Sequence, residues 1–419
     1  MGKYIVQGGN KLSGQIFVSG AKNAVLPILA STVLNSGISI LKNVPMLLDT
    51  MVAIDILRDL GCDVNYGENT VIVNSKNMNK TTVNQDLVKK MRSSIIFLGA
   101  IISRFKEASI CYPGGCNLGK RPIDFHLLAF ETMGININEE NEIIKASVDN
   151  IIPTTINLPF ASVGATQNII LASIFVNGKV IIKNCAREPE IIDMANFLIK
   201  MGANISGAGT DTITITGVDK LKEVVEYTIM PDRIEAGTFL CMSAITNGHT
   251  KIDGINPQYL TSLIEILEST GCTIYTNKNS INIKAPNIIK PIEFLETKPY
   301  PYFPTDLQPQ IMSLLAVAKG TSTIKENIFE ARNKHIAELN KLGCNILEND
   351  NTFIINGVDN LTGTTVFSKD LRGGAGLITA GLFAKGKTVV EGACYINRGY
   401  ENLDKKLNLL GADIKYIKD

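Results

Sequence analysis

Leu57-Arg58-Asp59-Leu60-Gly61-Cys62-Asp63-Val64 is the phrase whose recurrence decides the fold. An amphipathic run ends at a glycine and hands over to strand-like residues. The same handover returns at Met133-Gly134-Ile135, Met201-Gly202-Ala203, Thr270-Gly271-Cys272, Leu342-Gly343-Cys344 and Leu410-Gly411-Ala412, with the glycines 68 to 73 residues apart. Glycine just past the last helical turn is the usual left-handed cap, because it has no Cβ to clash there. Six such caps at one period imply one structural unit used six times.

The remainder of each unit recurs too. A first helix rich in small and aliphatic residues is apolar nearly all round and therefore buried. Its six copies run 26–34, 94–103, 168–176, 238–246, 310–319 and 376–385. Strands follow, typified by Lys179-Val180-Ile181-Ile182 and Thr352-Phe353-Ile354-Ile355-Asn356. The sixth unit runs out at the C-terminus without its last strands, while Tyr4-Ile5-Val6-Gln7-Gly8 matches the strand Phe353-Ile354-Ile355-Asn356-Gly357. Termini that complete each other argue for closed domains over an open solenoid. The expectation is an α/β chain of two domains with three units each. One is continuous, at about 22–229, and one is built from 1–21 plus 230–419.

Composition bounds the function. Forty-one basic and 40 acidic residues nearly cancel in 419, so no global field attracts nucleic acid or anionic membrane. The longest apolar runs, such as 95–102, are far short of the ~20 residues of a membrane span. Met1-Gly2-Lys3-Tyr4-Ile5-Val6 enters a strand pattern without the apolar stretch of a signal peptide, and a cytoplasmic location is expected. The eight cysteines are scattered without Cys-x-x-Cys spacing, and three histidines show no metal or triad spacing. Neither a metal nor an organic cofactor is expected.

Polar motifs precede the first helix of every unit, in register: Lys22-Asn23, Arg92, Ser162-Val163-Gly164, Arg233, Thr305-Asp306 and Arg372. Buried helix N-termini carry unsatisfied N–H groups and partial positive charge that suit phosphate and carboxylate. Cations repeated at that position form a local anion trap. The loop Tyr112-Pro113-Gly114-Gly115-Cys116-Asn117-Leu118-Gly119-Lys120-Arg121 departs from the common plan and sets Cys116 beside two cations, which favour thiolate. Cys62, Cys272 and Cys344 share the slot after the cap glycine and read as packing. Asp306 is open to two readings, a helix-start carboxylate or a general base.

Seven separated motifs resemble the UDP-N-acetylglucosamine 1-carboxyvinyltransferase family of enolpyruvyl transferases. They are Ser19-Gly20-Ala21-Lys22-Asn23-Ala24, Pro113-Gly114-Gly115-Cys116, Arg121-Pro122-Ile123-Asp124, Pro231-Asp232-Arg233-Ile234-Glu235-Ala236-Gly237, Phe303-Pro304-Thr305-Asp306, Asp370-Leu371-Arg372 and Asn397-Arg398-Gly399-Tyr400-Glu401. The resemblance implies an inside-out α/β barrel of two domains, with the active site in the cleft between them. It implies enolpyruvyl transfer from phosphoenolpyruvate to the 3-hydroxyl of UDP-N-acetylglucosamine. That is the first committed step of peptidoglycan synthesis, on which the cell wall, cell shape and division depend. Carried over residue by residue, Lys22, Arg121 and Arg398 match positions that hold phosphoenolpyruvate, with Arg92 and Arg372 beside the cleft. Asn23, Arg121, Pro122, Ile123, Asp124, Phe125, Ser162, Val163, Gly164, Asp306 and Ile328 match positions at the UDP-sugar. Cys116 resembles the family's proton donor and fosfomycin target, and Asp306 takes the role of base. Small-molecule substrates are the expected partners, with no obligate protein partner. The family usually has Ala and Ser where Gly373-Gly374-Ala375-Gly376 stands, so a loosened helix start is expected there. Rival readings are a non-catalytic UDP-sugar-binding paralogue and the sister transferase of shikimate 3-phosphate, which lacks the Pro-Gly-Gly-Cys loop.

Overall fold

The computed structural model describes residues 2–114 and 123–418. The chain falls into two compact units: a terminal unit of residues 2–19 with 231–418, and a central unit of 20–114 with 123–230.

The terminal unit holds three sheets. Lys3–Gln7 lies between Lys387–Glu391 and Asp413–Ile417, antiparallel to both, so the two ends of the chain share one sheet. Tyr4 stacks on Tyr416 there, with ring centroids 5.2 Å apart. In the second sheet Ser13–Phe17 pairs in parallel with His249–Asp253, which Ser280–Lys284 and then Thr273–Asn277 extend. Leu295–Glu296, Thr321–Lys325, Thr352–Asn356 and Asn345–Asn349 form the third in the same order of one parallel and two antiparallel pairings.

Two sheets of the central unit follow that order as well, one around Ile38–Lys42 and one around Lys179–Lys183. The third has three strands, Glu107–Cys111, Ile143–Ser147 and Asn136–Glu140, and a lone parallel bridge from Thr82 to Ser109 stands where the others have an edge strand. Alternating residues explain the sheets: Thr212–Thr216 reads Thr-Ile-Thr-Ile-Thr, with both isoleucines fully buried. Each of the six cap glycines takes a left-handed conformation, with φ between 78° and 110°.

The core of each unit is helical. Arg233–Ile245, Gln308–Leu315 and Leu371–Phe383 pack on one another in the terminal unit, and all thirteen residues of the first are buried. In the central unit Ile96–Phe105 packs against both Lys22–Ser31 and Val163–Ala172. A helix buried on every side has no polar face, which is why these six segments read as apolar all round.

Close approach replaces bulk at the crossings. A Cβ on Gly99 would lie 2.4 Å from the Asn168 carbonyl oxygen, and one on Gly376 would lie 2.8 Å from the Pro309 carbonyl oxygen. The glycine run at 373–376 is thus a packing surface. Its helix begins firmly at Leu371, where the Asp370 carboxylate accepts from the backbone of Arg372 and Gly373 at 3.0 and 2.9 Å, which corrects the loosened start expected from sequence. Asn168 ties the other crossing, accepting from Gly99 N–H at 2.8 Å and donating to Ile95 O at 2.9 Å.

Gly99→Ala would ordinarily stabilise a helix by about 1 kcal/mol. Here it is expected to destabilise by about 2 kcal/mol, because the methyl group meets backbone that cannot withdraw. Thermal melting checks this, and an unchanged or raised midpoint would contradict the packing described.

Candidate active site

Cations stand at the start of four central segments, where the helix dipole opposes them. Lys22 opens Lys22–Ser31, Arg92 opens the turn Arg92–Ile95 that leads into Ile96–Phe105, Arg233 opens Arg233–Ile245, and Arg372 is the second residue of Leu371–Phe383. Positive charge on a positive helix end costs free energy unless acids or anionic ligands balance it. Part of that balance is built in. Lys22 Nζ is 2.9 Å from the buried Asp49 carboxylate. Asp232 caps its helix through Ile234 and Glu235 N–H at 2.8 and 3.0 Å, just as Asp370 caps its own.

In the central unit Ile123, Asp124, Phe125, Ser162, Val163 and Gly164 cluster on two adjoining helix starts. Ser162 caps Val163–Ala172, accepting from Ala165 N–H at 3.3 Å, while Val163 and Gly164 are half-buried. Ile123 is buried just ahead of Asp124–Thr132, which exposes Asp124 and half-buries Phe125. Phe125 also lines a cavity of about 230 Å³ with Leu128, Ile156 and Leu158. Beneath Gly164 lies His126, so close that a Cβ on the glycine would sit 3.1 Å from the ring. Both amide hydrogens of Asn168 are engaged, on Ile95 O and on His126 Nδ1 at 2.9 Å. The histidine is therefore an acceptor at Nδ1 and neutral. Burial, aided by Arg92, pushes its pKa down to about 3. Arg92 itself donates to Pro113 O at 3.2 Å. Asn23 is half-buried beside Lys22.

The terminal unit builds a clamp on one carboxylate. Asp306 lies in the turn Thr305–Leu307 that leads into Gln308–Leu315. Its Oδ1 accepts from Arg332 Nη2 and its Oδ2 from Arg372 Nη2, each at 3.2 Å. Both arginines are almost wholly buried, whereas the Asp306 side chain is 23% exposed, so buried cations hold a carboxylate that reaches the surface. Arg332 also donates to Thr305 O at 3.1 Å and lies 4.9 Å from the Phe329 ring centroid. Burial alone would lower the pKa of Arg372, but Tyr400, Asp306 and Asp232 outweigh it and push it up. Two fixed cations at this distance hold the Asp306 carboxylate in one orientation. Arg398 follows the short helix Ala393–Ile396 and is half-buried. Ile328 is half-buried as well, its N–H bonded to Glu326 at 2.9 Å.

Among the site residues read from sequence, Cys116, Arg121 and Pro122 lie outside the described residues. The structure brings Asp306 and Arg372 together, and it sets Arg92 beside the His126 that underlies Gly164. Four residues carry the arrangement without having been singled out. Asp49 and Arg332 fall outside the 70-residue register of helix starts, Tyr400 stood only as part of a motif, and His126 showed no metal or triad spacing. Among the described residues seven cysteines are free thiols. Burial pushes the pKa of Cys62 and Cys185 up to about 11 and that of Cys344 to about 12, as suits packing thiols. No helix among the described residues is long and apolar enough to cross a membrane.

Comparison with known proteins follows the same lines. The family model described as EPSP synthase (3-phosphoshikimate 1-carboxyvinyltransferase) matches residues 6–407. UDP-N-acetylglucosamine 1-carboxyvinyltransferase 2 of Caldanaerobacter subterraneus is 46% identical over the whole of both chains. The similarly named protein of Thermotoga maritima is 44% identical over 100% of this chain and 99% of its own. Among solved structures, the enolpyruvyl transferase NikO from Streptomyces tendae superposes with a TM-score of 0.89 at 24% identity, covering 100% of this chain and 99% of that one. An EPSP synthase from Acinetobacter baumannii reaches 0.76 at 18% identity over both full lengths. At those identities the two structures establish the α/β fold.

A buried neutral histidine makes stability depend on pH. The folded pKa of His126 lies below the usual 6.5, so its contribution is complete above about 6.5 and is lost as pH falls toward 3. The melting midpoint is expected to drop over that range, and His126→Gln, which retains an acceptor for Asn168, to drop less steeply. Parallel slopes for the two proteins would refute the assignment.

Proposed function

The chain belongs to the enolpyruvyl transferase family that its full-length relatives represent, and from that premise we propose that it transfers the enolpyruvyl group of phosphoenolpyruvate to the 3-hydroxyl of UDP-N-acetylglucosamine. Phosphate is released, and the product is that of the first committed step of peptidoglycan synthesis. The observation that carries the choice of acceptor is full-length identity of 43–46% to relatives named for that sugar nucleotide, against 18% to EPSP synthases. A transferase of that acceptor works in the cytoplasm, where both substrates are made.

In this reading Asp306 accepts the proton of the 3-hydroxyl as the oxygen attacks C2 of phosphoenolpyruvate, while the Cys116 thiol protonates C3. The tetrahedral ketal that results carries carboxylate and phosphate groups, for which Lys22, Arg92, Arg121, Arg372 and Arg398 supply positive charge. Breaking the C2–O bond to phosphate completes the transfer. The phosphate takes the proton held by Asp306, C3 returns its proton to the Cys116 thiolate, and the double bond is restored. Asn23, Pro122, Ile123, Asp124, Phe125, Ser162, Val163, Gly164 and Ile328 hold the sugar nucleotide. The clamp supports this role for Asp306: a partly exposed carboxylate backed by two buried arginines can take a proton without turning away. The inside-out barrel of two domains, three repeated units each, with substrates bound in a cleft between them, belongs to the same reading. So do domain limits of 22–229 and 1–21 plus 230–419.

Phosphate release with each acceptor tests the proposal. Purified protein given phosphoenolpyruvate and UDP-N-acetylglucosamine is expected to release one phosphate per acceptor, with the enolpyruvyl ether seen by mass spectrometry. Shikimate 3-phosphate should support at least about 10³-fold less, since a site built for one acceptor leaves polar groups unpaired with another. No release with the sugar nucleotide would leave a binding protein.

A further inference from the structure

Tyr400 is fully enclosed in the core of the terminal unit, with 2% of its surface exposed. Its hydroxyl lies 2.9 Å from Thr238 Oγ1 and 3.0 Å from Gln310 Nε2. The direction of each bond follows from proton counting. Thr238 spends its one hydroxyl proton on the Ile234 carbonyl at 2.8 Å, so Tyr400 donates to Thr238 and accepts from Gln310. One phenol therefore joins two of the three central helices. The third meets it through Arg372, whose guanidinium lies over the phenol ring, 5.4 Å from its centroid.

Two paths lead from this point to Asp306. Arg372 holds Oδ2 of its carboxylate at 3.2 Å. Gln310 Nε2, besides its bonds to Tyr400 and to Thr238 at 2.9 Å, lies 3.2 Å from the backbone carbonyl of Asp306. Side chain and backbone of the same aspartate are thus tied to groups that Tyr400 orients. Tyr400 is held in turn by its place after the helix Ala393–Ile396, its N–H bonded to Ile396 O at 3.2 Å. The turn between them carries Arg398.

We propose that Tyr400 is a positioning residue for Asp306, acting through Arg372 and Gln310 to fix the angle at which the carboxylate meets the acceptor hydroxyl. The inference rests on Asp306 being the base. Loss of the phenol oxygen leaves the ring under Arg372 but frees its tilt, and it removes one of the acceptors that anchor the Gln310 amide. The effect falls on the angle of the base and removes no group that touches substrate, so it belongs in kcat far more than in KM.

Tyr400→Phe is the test, on the full chain with the sugar-nucleotide assay. The expected result is a kcat lowered about 10- to 100-fold, KM for both substrates within about threefold, and a melting midpoint lowered by a few degrees. In an Asp306→Asn background the same change should cost less than about twofold, because nothing is left to aim. Thr238→Val keeps the phenol but removes its acceptor, together with one acceptor of the Gln310 amide, and should lower kcat about 3- to 10-fold, which serves if Tyr400→Phe does not fold. An unchanged kcat in either variant, or an equal loss with and without Asp306, overturns the proposal. An inactive wild-type protein would instead overturn the enzymatic reading beneath it.

Discussion

The structure depends on one electrostatic constraint, which is that positive side chains are held at the positive ends of helices buried on every side. Such a placement is unfavourable on its own, since dipole and cation repel and water cannot screen them. It persists because acids are set against it: Asp49 on Lys22, the caps Asp232 and Asp370, and Asp306 between Arg332 and Arg372. What remains is a local appetite for anions on a chain whose net charge is +1. Ligands carrying phosphate and carboxylate suit that remainder without any need for a basic surface.

Burial of the helices sets the other terms. Polar groups inside must find partners, and they find them in small closed networks: Asn168 with His126 and the backbone of Ile96–Phe105, and Tyr400 with Thr238 and Gln310. Glu235, fully buried, is balanced by Lys406 at 2.6 Å and by Ser19 N–H at 2.6 Å, next to the point where the chain leaves the terminal unit. Glycine matters for the same reason. At Gly99 and Gly376 the absence of a side chain lets one helix rest on the backbone of another.

Much of this was legible in the sequence because it repeats along the chain. Cap glycines, all-apolar helices and the polar residue before each helix are local signals, and period turns six weak signals into a strong one. The family's motifs likewise lie in short stretches that can be read without coordinates. What escaped notice is pairwise and distant in sequence. Nothing near Asp306 announces Arg332, 26 residues on, and nothing in the run Asp124 to Leu128 says that His126 will lie under Gly164. A glycine run looks like weakness when read by helix propensity alone, yet the same residues become contact surface once a neighbouring helix is known.

The central claim is that the clamped Asp306 carboxylate takes the hydroxyl proton in the step that forms the new C–O bond. Rapid-quench single-turnover kinetics of Asp306→Asn, which keeps shape and hydrogen bonding but not basicity, isolates that step from substrate binding and product release. Ketal formation is expected to slow about 10²-fold or more, with sugar-nucleotide affinity little changed. Ketal formation at the wild-type rate would contradict it.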